Sequence, residues 1–228
     1  MAFNQLQYFI DNLDAAIKHI VMFYEEPEYA KLVQIRFLND GLKRGECCVY
    51  AARDDDDITI TKADMVESGI DVDYHIGKGL LQFYLRKPAI IDRESYKQAR
   101  NRFQMEIEKT FAGLQEGSNT SSATITCPRI RGVGSISRDV FLTMKQGEAS
   151  RNAEAVSSQL MVEKLFQSET TAAPSSSFDG IVWMCAYLVD HIFEDMDKGW
   201  MAELLASHDA ALFLPKLSNG IALDVRKQ

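Results

Sequence analysis

Hydrophobic positions along the chain form short β-prone runs, and longer segments with helical spacing separate them. The runs predicted to be strands are Ile20–Tyr24, Glu46–Ala52, Leu80–Leu85, Ala123–Cys127, Gly180–Tyr187 and Ala210–Leu214. The second run, ECCVYAA, is apolar almost throughout, as expected of a central parallel strand that is covered on both faces.

The segments between these runs space their apolar residues at helical intervals. The predicted helices are Phe3–Lys18, Glu28–Lys43, Ser95–Leu114, Val189–Leu205 and, with a less regular pattern, Arg138–Phe166. Between the second and third runs, Asp54–Asp57 is predicted to be a solvated loop. Thr59 or Thr61 then caps a helix through Met65 to Glu67, and SGIDVDYHIGKG adds a short helical turn.

Strands that alternate with helices predict an α/β fold, a mostly parallel central sheet with helices on both faces. We expect one domain over residues 1–228, with a first helix in residues 1–18 and a flexible surface loop in residues 168–178. In such folds, ligands bind beyond the carboxyl ends of the strands. The turn after the first strand is therefore the first place to look for function.

That turn lies in His19–Leu32, HIVMFYEEPEYAKL, and it is acidic. A phosphate-binding loop needs glycines for a backbone nest, a lysine for the terminal phosphates and a hydroxyl for Mg²⁺. Pro27 has no amide proton to contribute, and Glu25, Glu26 and Glu28 place carboxylates where phosphates would bind. These acids instead match the positive end of a helix, and the sequence disfavours nucleotide hydrolysis at this turn.

Composition narrows the classes of function. The hydrophobic fraction is 46% and the charged fraction is 25%, which is ordinary globular usage. The net charge of −8 disfavours general nucleic-acid binding. Apolar runs are too short to span a bilayer, and Asp11 and Asp14 stand where a signal peptide would be basic. We therefore expect a soluble, cytoplasmic protein that binds neither membrane nor nucleic acid.

Cysteines and histidines show no recognisable metal spacing. Cys47, Cys48, Cys127 and Cys185 lie in apolar segments without a CxxC pair, so we interpret them as buried thiols and not as a zinc site or a disulfide framework. His75, His191 and His208 are interpreted as structural. The sequence thus predicts no metal and no cofactor.

Three stretches resemble the DcmR-type sensory domain, also called the MEDS domain. They are HIVMFYEEPEYAKL, FLNDGLKRGECCVYAA and SGIDVDYHIGKGLLQFY, and MCAYLVDHIFEDMDKGWMAELLASHDAALF is similar to the closing segment of that family. The resemblance covers most of the chain from His19 to Leu214, and it is strongest over Lys18–Tyr84.

This resemblance implies a RecA/KaiC-like fold without a working phosphate loop, used as a sensor of small ligands in signalling and transcription proteins. His19 matches the histidine that the family is proposed to use in ligand sensing, and Tyr24 and Glu25 match its FYE motif. The chain shows no helix-turn-helix or histidine-kinase segment, so a sensor of this kind needs a protein partner for its output.

A second pattern comes from the residues that follow the predicted strands. Arg53, Arg86 and Arg129 each follow such a strand, which would bring them to the same sheet edge as Glu25. With Tyr24, Tyr50 and Tyr84 near strand ends, they would form an arginine-rimmed crevice over an aromatic floor for an anionic or polar small molecule. Alternatively, the arginines only pair with nearby carboxylates and the tyrosines are core aromatics.

Two classes of function follow from these patterns. The first is a non-enzymatic small-molecule sensor that signals through a protein partner. The second is a degenerate RecA/KaiC-like nucleotide-binding enzyme, although no catalytic constellation stands out. A homo-oligomeric protein–protein scaffold is a third possibility. Turnover of Mg-ATP discriminates the first two.

Overall fold

A computed structural model of the chain describes most of the predicted elements. The described residues are 3–52, 54–85, 93–116, 129–135, 160–167, 180–188, 198–215 and 221–224. The predicted strand Ala123–Cys127, the loop 168–178, Arg53, Arg86 and His191 lie outside these residues, so those predictions stay predictions.

The described strands form one sheet of seven strands in the order β3-β2-β4-β5-β1-β6-β7. Their bounds are β1 His19–Tyr24, β2 Cys47–Ala52, β3 Leu81–Leu85, β4 Ile130–Ser135, β5 Ile181–Leu188, β6 Ala210–Leu214 and β7 Ile221–Asp224. Pairs among β1 to β6 are parallel, and β7 runs antiparallel to β6 at one edge. The prediction of a mostly parallel sheet with helices on both faces is confirmed.

Helices cover both faces of this sheet. Their bounds are α1 Phe3–Asp11, α2 Pro27–Lys43, α3 Asp55–Glu67, α4 Val72–Gly77, α5 Arg93–Glu116, α6 160–167 and α7 Lys198–Ala206. Residues of α1 to α4 join the core on one side, which we call the front face. Residues of α5 to α7 pack on the other side, the back face.

Two predicted elements need correction. Asp54–Asp57 is not a loop: Asp54 is the N-cap of α3, and its side chain accepts a hydrogen bond from the Asp57 amide at 2.7 Å. Aspartates suit this position because they satisfy the free amides and the positive helix end. The first helix ends at Asp11, well before Lys18, and Asp14 turns the chain by accepting from the Ala16 amide.

Buried charges join α2 to the front face of the sheet. The guanidinium of Arg131 on β4 is 1% exposed, and it donates to Glu46 at 2.6 Å, to Asp40 at 2.9 Å and to the Phe37 carbonyl at 3.0 Å. Nε and Nη1 of this cation thus meet two carboxylates and a carbonyl, which offsets the cost of burying the charge.

On the back face, the ring of Trp183 lies against the backbone of β4 from Gly132 to Gly134. A Cβ atom at Gly132 would stand 2.0 Å from the Trp183 ring, so glycine is required at this close approach. Phe103 of α5 packs edge-on against the same ring, with centroids 5.5 Å apart.

Two further predictions from the sequence have an outcome here. Among the described helices, none is both long and apolar enough to cross a bilayer. Cys48 and Cys185 are buried free thiols, as predicted, whereas Cys47 is disulfide-bonded, which corrects the interpretation of that residue as a thiol. Cys127 lies outside the described residues.

Candidate functional site

Among the described residues, those predicted to bind the ligand do not come together. His19 is the first residue of β1, whereas Tyr24 is the last and Glu25 follows it. Five residue steps along a strand separate His19 from Tyr24 by about 17 Å. The histidine therefore lies at the amino-terminal end of β1, and the FYE motif lies at its carboxyl end.

The three tyrosines do not share a floor. Tyr50 is in register with Phe83, whereas Tyr84 is in register with Ala51, so their side chains point to opposite faces. Tyr24 shares the front face with Tyr50, but β5 and β4 stand between their strands, which puts them about 14 Å apart. The prediction of an aromatic floor is wrong because adjacent strand positions alternate between faces.

Arg129 was predicted to follow a strand, and in the structure it precedes β4. Its guanidinium donates to the Ile17 carbonyl at 2.8 Å, at the amino-terminal edge of the sheet. Arg129 therefore lies at the amino-terminal ends of the strands, whereas Glu25 lies at the carboxyl ends. The prediction that these two residues meet is wrong. Burial lowers the pKa of Arg129 below its ordinary value.

At the carboxyl end of β2, Tyr50 belongs to a group with Lys31, Asp57 and Thr61, which we call the Lys31 group. The Lys31 ammonium donates to Asp57 at 3.0 Å, to Thr61 at 2.7 Å and to the Tyr50 hydroxyl. Although burial opposes it, contact with Tyr50 and Asp57 raises the pKa of Lys31. The three protons of the ammonium all have acceptors, so this group stabilises the packing of α2 against α3.

A second group of polar side chains lies on the back face. His19, Glu163 of α6, Cys185 of β5 and His208, just before β6, are all buried, and we call them the His19 cluster. One nitrogen, oxygen or sulfur atom from each lies within 4.8 Å of the others.

The contacts within the His19 cluster converge on one oxygen of Glu163. His19 Nε2 lies 3.0 Å from Glu163 Oε2, and His208 Nε2 lies 3.6 Å from it. Cys185 Sγ lies 3.6 Å from the same oxygen and 3.4 Å from His19 Nε2. The other carboxylate oxygen accepts from the Tyr187 hydroxyl.

Backbone carbonyls orient both imidazole rings. His19 Nδ1 lies 2.9 Å from the Ser207 carbonyl, and His208 Nδ1 lies 2.7 Å from the Leu204 carbonyl. A carbonyl only accepts, so each Nδ1 carries a proton and each Nε2 faces Glu163. Among the described residues, His208 Nε2 has no hydrogen-bond partner although it is buried.

The surroundings set the charges of the cluster. Burial raises the pKa of Glu163, but the hydrogen bond and charge of His19 and the charge of His208 outweigh burial and bring the pKa to about 2. Burial, and then the neighbouring His19, lowers the pKa of His208 to about 3. At neutral pH the cluster therefore contains a carboxylate beside a neutral imidazole.

This arrangement suits binding more than covalent catalysis. A nucleophile–base–acid triad places the acid on the ring nitrogen opposite the nucleophile. Here Cys185 and Glu163 both contact Nε2 of His19, and all four residues are closed off from solvent. Imidazole, thiol and carboxylate are also the ligand types of transition-metal sites.

Comparison with known proteins bears on the fold. A KaiC-like protein from the hyperthermophilic archaeon Pyrococcus horikoshii OT3 is similar in structure, with a TM-score of 0.50 and 11% sequence identity. The similarity covers 90% of this chain and 77% of that protein. The chain has a RecA/KaiC-like fold. The sequence matches no family model and no curated protein.

In this RecA/KaiC-like fold, the turn between β1 and α2 contains the acids expected from the sequence. Glu26 is the N-cap of α2 and Pro27 is its first residue, but Glu26 makes no capping hydrogen bond with its side chain. Glu26 and the first-turn acid Glu28 therefore meet the positive helix end with charge, without a capping hydrogen bond from Glu26. Their carboxylates still disfavour a phosphate at this position.

Glu163, Cys185 and His208 of the RecA/KaiC-like fold were not among the predicted site residues. They are far apart in the sequence, so no spacing motif connects them with His19. The available signal was a pair of polar residues in otherwise apolar positions, His19 opening one strand and His208 preceding another. Parallel pairing of β1 with β5 and with β6 brings these strand starts together.

Proposed function

We propose that the chain is a non-enzymatic sensor module of signal transduction or transcriptional regulation, of the kind that the DcmR-type sensory domain represents. The observation that carries this proposal is the position of His19. The histidine that the resemblance assigns to sensing is fully buried, and it contacts three other residues that can bind a ligand.

The origin of the four residues suits a sensor. They come from β1, α6, β5 and the segment between α7 and β6, so a ligand that contacts all of them couples two helices to the sheet. A group of buried polar side chains costs more to desolvate than an apolar core of equal size, which favours a role beyond stability. A change in occupancy would shift α6 and α7, which a partner protein could read.

The β1–α2 turn supports binding without phosphoryl transfer. Pro27 cannot donate a backbone hydrogen bond, and Glu25, Glu26 and Glu28 surround the start of α2 with negative charge. A nucleotide at this turn would bring its phosphates against these acids. The alternative of a nucleotide-dependent enzyme on this scaffold has no comparable support.

Native mass spectrometry of the purified protein tests the proposal. We expect a mass above that of the 25.7 kDa chain that disappears on denaturation and is absent from the His19→Gln variant. His75→Gln, on α4 at the front face, is the matched control and should keep the additional mass. The same spectra report the oligomeric state.

A parallel assay of Mg-ATP turnover separates the two classes of function. The sensor proposal expects no saturable turnover. Saturable turnover that Glu25→Gln changes, together with a bare chain mass under native conditions, would contradict the proposal and favour the nucleotide-dependent alternative.

A further inference from the structure

We propose that the His19 cluster is a closed binding site for a divalent transition metal, with Zn²⁺ as the best match. The ligands are Nε2 of His19 and His208, one oxygen of Glu163 and the sulfur of Cys185. This inference rests on the proposed function, because it names the ligand that the cluster would sense.

Four of the six distances between the ligand atoms are close to those of tetrahedral coordination, and all six are within 4.8 Å. Typical Zn–N, Zn–O and Zn–S bonds place neighbouring ligand atoms roughly 3.3–3.6 Å apart in a tetrahedron. The observed separations are 3.0 Å for His19 to Glu163, 3.4 Å for His19 to Cys185, and 3.6 Å for both Cys185 and His208 to Glu163. The His19 and His208 rings are stacked with centroids 3.7 Å apart, so one ring must turn for both Nε2 lone pairs to point at an ion.

The protonation of the histidines favours a cation at the centre. Both rings hold a proton on Nδ1 through a backbone carbonyl, so Nε2 of each ring is the atom that can bind an ion, in His19 once its Nε2 has released the proton that it shares with Glu163. His208 Nε2 is buried with no hydrogen-bond partner among the described residues, and it faces a carboxylate oxygen that cannot donate to it. A metal ion satisfies this lone pair and the carboxylate together.

Charge balances in the metal-bound state. The Cys185 thiol releases its proton to the buffer when its sulfur binds the metal, and any proton shared by His19 Nε2 and Glu163 leaves as well. The thiolate and the Glu163 carboxylate then carry two negative charges against the two positive charges of the ion. A neutral site avoids the cost of a net charge in a buried position.

Surrounding residues support the ligands as in known metal sites. Tyr187 donates to the second oxygen of Glu163, which turns the first oxygen towards the histidines. The Phe166 ring packs on His19 with centroids 4.7 Å apart and helps to exclude water. Four protein ligands leave no open coordination position. The site would therefore sense the metal or stabilise the fold, and it would not activate a water molecule.

Titration of the chelator-treated protein with Co²⁺ tests the site. Tetrahedral Co²⁺ reports its geometry through visible d–d bands, and a bond to thiolate adds a near-ultraviolet charge-transfer band. We expect both signals to saturate at one equivalent. One equivalent of Zn²⁺ should then abolish them, because Zn²⁺ binds such ligands more tightly than Co²⁺.

Matched variants identify the ligands. Cys185→Ser should remove the charge-transfer band, whereas Cys48→Ser, a buried free thiol on the front face, should keep it. His208→Gln and Glu163→Gln should each weaken Co²⁺ binding by at least about 100-fold, more than the loss of a supporting residue causes. Circular dichroism identifies the variants that are folded. Cys185→Ser replaces a single atom, so we expect this variant to fold, and its comparison with Cys48→Ser can be made even if the other variants do not fold.

Specific results would overturn the metal proposal. One such result is that the folded protein gives no Co²⁺ signal at one equivalent. The other is that the charge-transfer band persists in Cys185→Ser. If native spectra then still show an organic mass that depends on His19, the sensor function stands and only the metal is wrong. If neither metal nor organic ligand depends on His19, the proposed function fails as well.

Discussion

Replacing Arg131 with methionine is expected to lower the free energy of unfolding by about 3–5 kcal/mol. The guanidinium is 1% exposed and holds the carboxylates of Glu46 and Asp40, whose side chains are 9% and 16% exposed. Methionine fills much of the same volume but removes the ion-pair partner of Glu46 and leaves Asp40 with the exposed Arg44. Urea unfolding, followed by circular dichroism, measures the loss.

Arg44→Met is the matched control, because Arg44 also binds Asp40 but its side chain is 44% exposed. Its loss should cost no more than about 1 kcal/mol, as is usual for exposed ion pairs. In the Arg131→Met background, Glu46→Gln should restore part of the stability, because it removes one uncompensated charge. Equal costs for Arg131→Met and Arg44→Met would show that the buried charges do not hold α2 on the sheet.

Replacing Gly132 with alanine is expected to destabilise the protein by about 1–3 kcal/mol. The added Cβ would overlap the Trp183 ring at 2.0 Å, and Phe103 on the other side limits how far the ring can move. Thermal or urea unfolding measures the cost. A change in tryptophan fluorescence should accompany it as Trp183 is displaced.

Gly134→Ala provides the control on the same strand. Its Cβ would meet Trp183 at 3.6 Å and Ala51 at 3.7 Å, which is ordinary van der Waals contact. Alanine also lowers the entropy of the unfolded chain, so this variant should be as stable as the wild type or more stable by up to about 1 kcal/mol. If both alanine variants behave alike, the close approach of Trp183 to β4 is not a constraint on the fold.

The hydrophobic pattern predicted most of the described elements within a few residues. Strands such as β2 and β3, and helices such as α2 and α5, are local features because burial of one or two faces imposes a period that is visible in the chain. The pattern failed where charge decided the structure. Asp54 begins a helix because its side chain caps the free amides, which a count of polar residues does not reveal.

The site was predictable only in part. His19 was indicated through the resemblance, but Tyr24 and Tyr84 lie near the carboxyl ends of their strands, and Arg129 lies at the amino-terminal ends, away from Glu25. The error arose from grouping residues by their nearness to strand ends. Which end and which face a residue occupies depends on strand bounds, and one residue of shift reverses the face.

By itself, the sequence determined an α/β chain with a mostly parallel sheet and an acidic turn that disfavours phosphate at β1. These properties follow from local periodicity and from residue chemistry at one short segment. Only the tertiary structure decided the strand order, which places β5 and β6 on either side of β1. That order brings Cys185 and His208 to His19, while α6 adds Glu163, because side chains distant in sequence meet only when the strands that carry them pair.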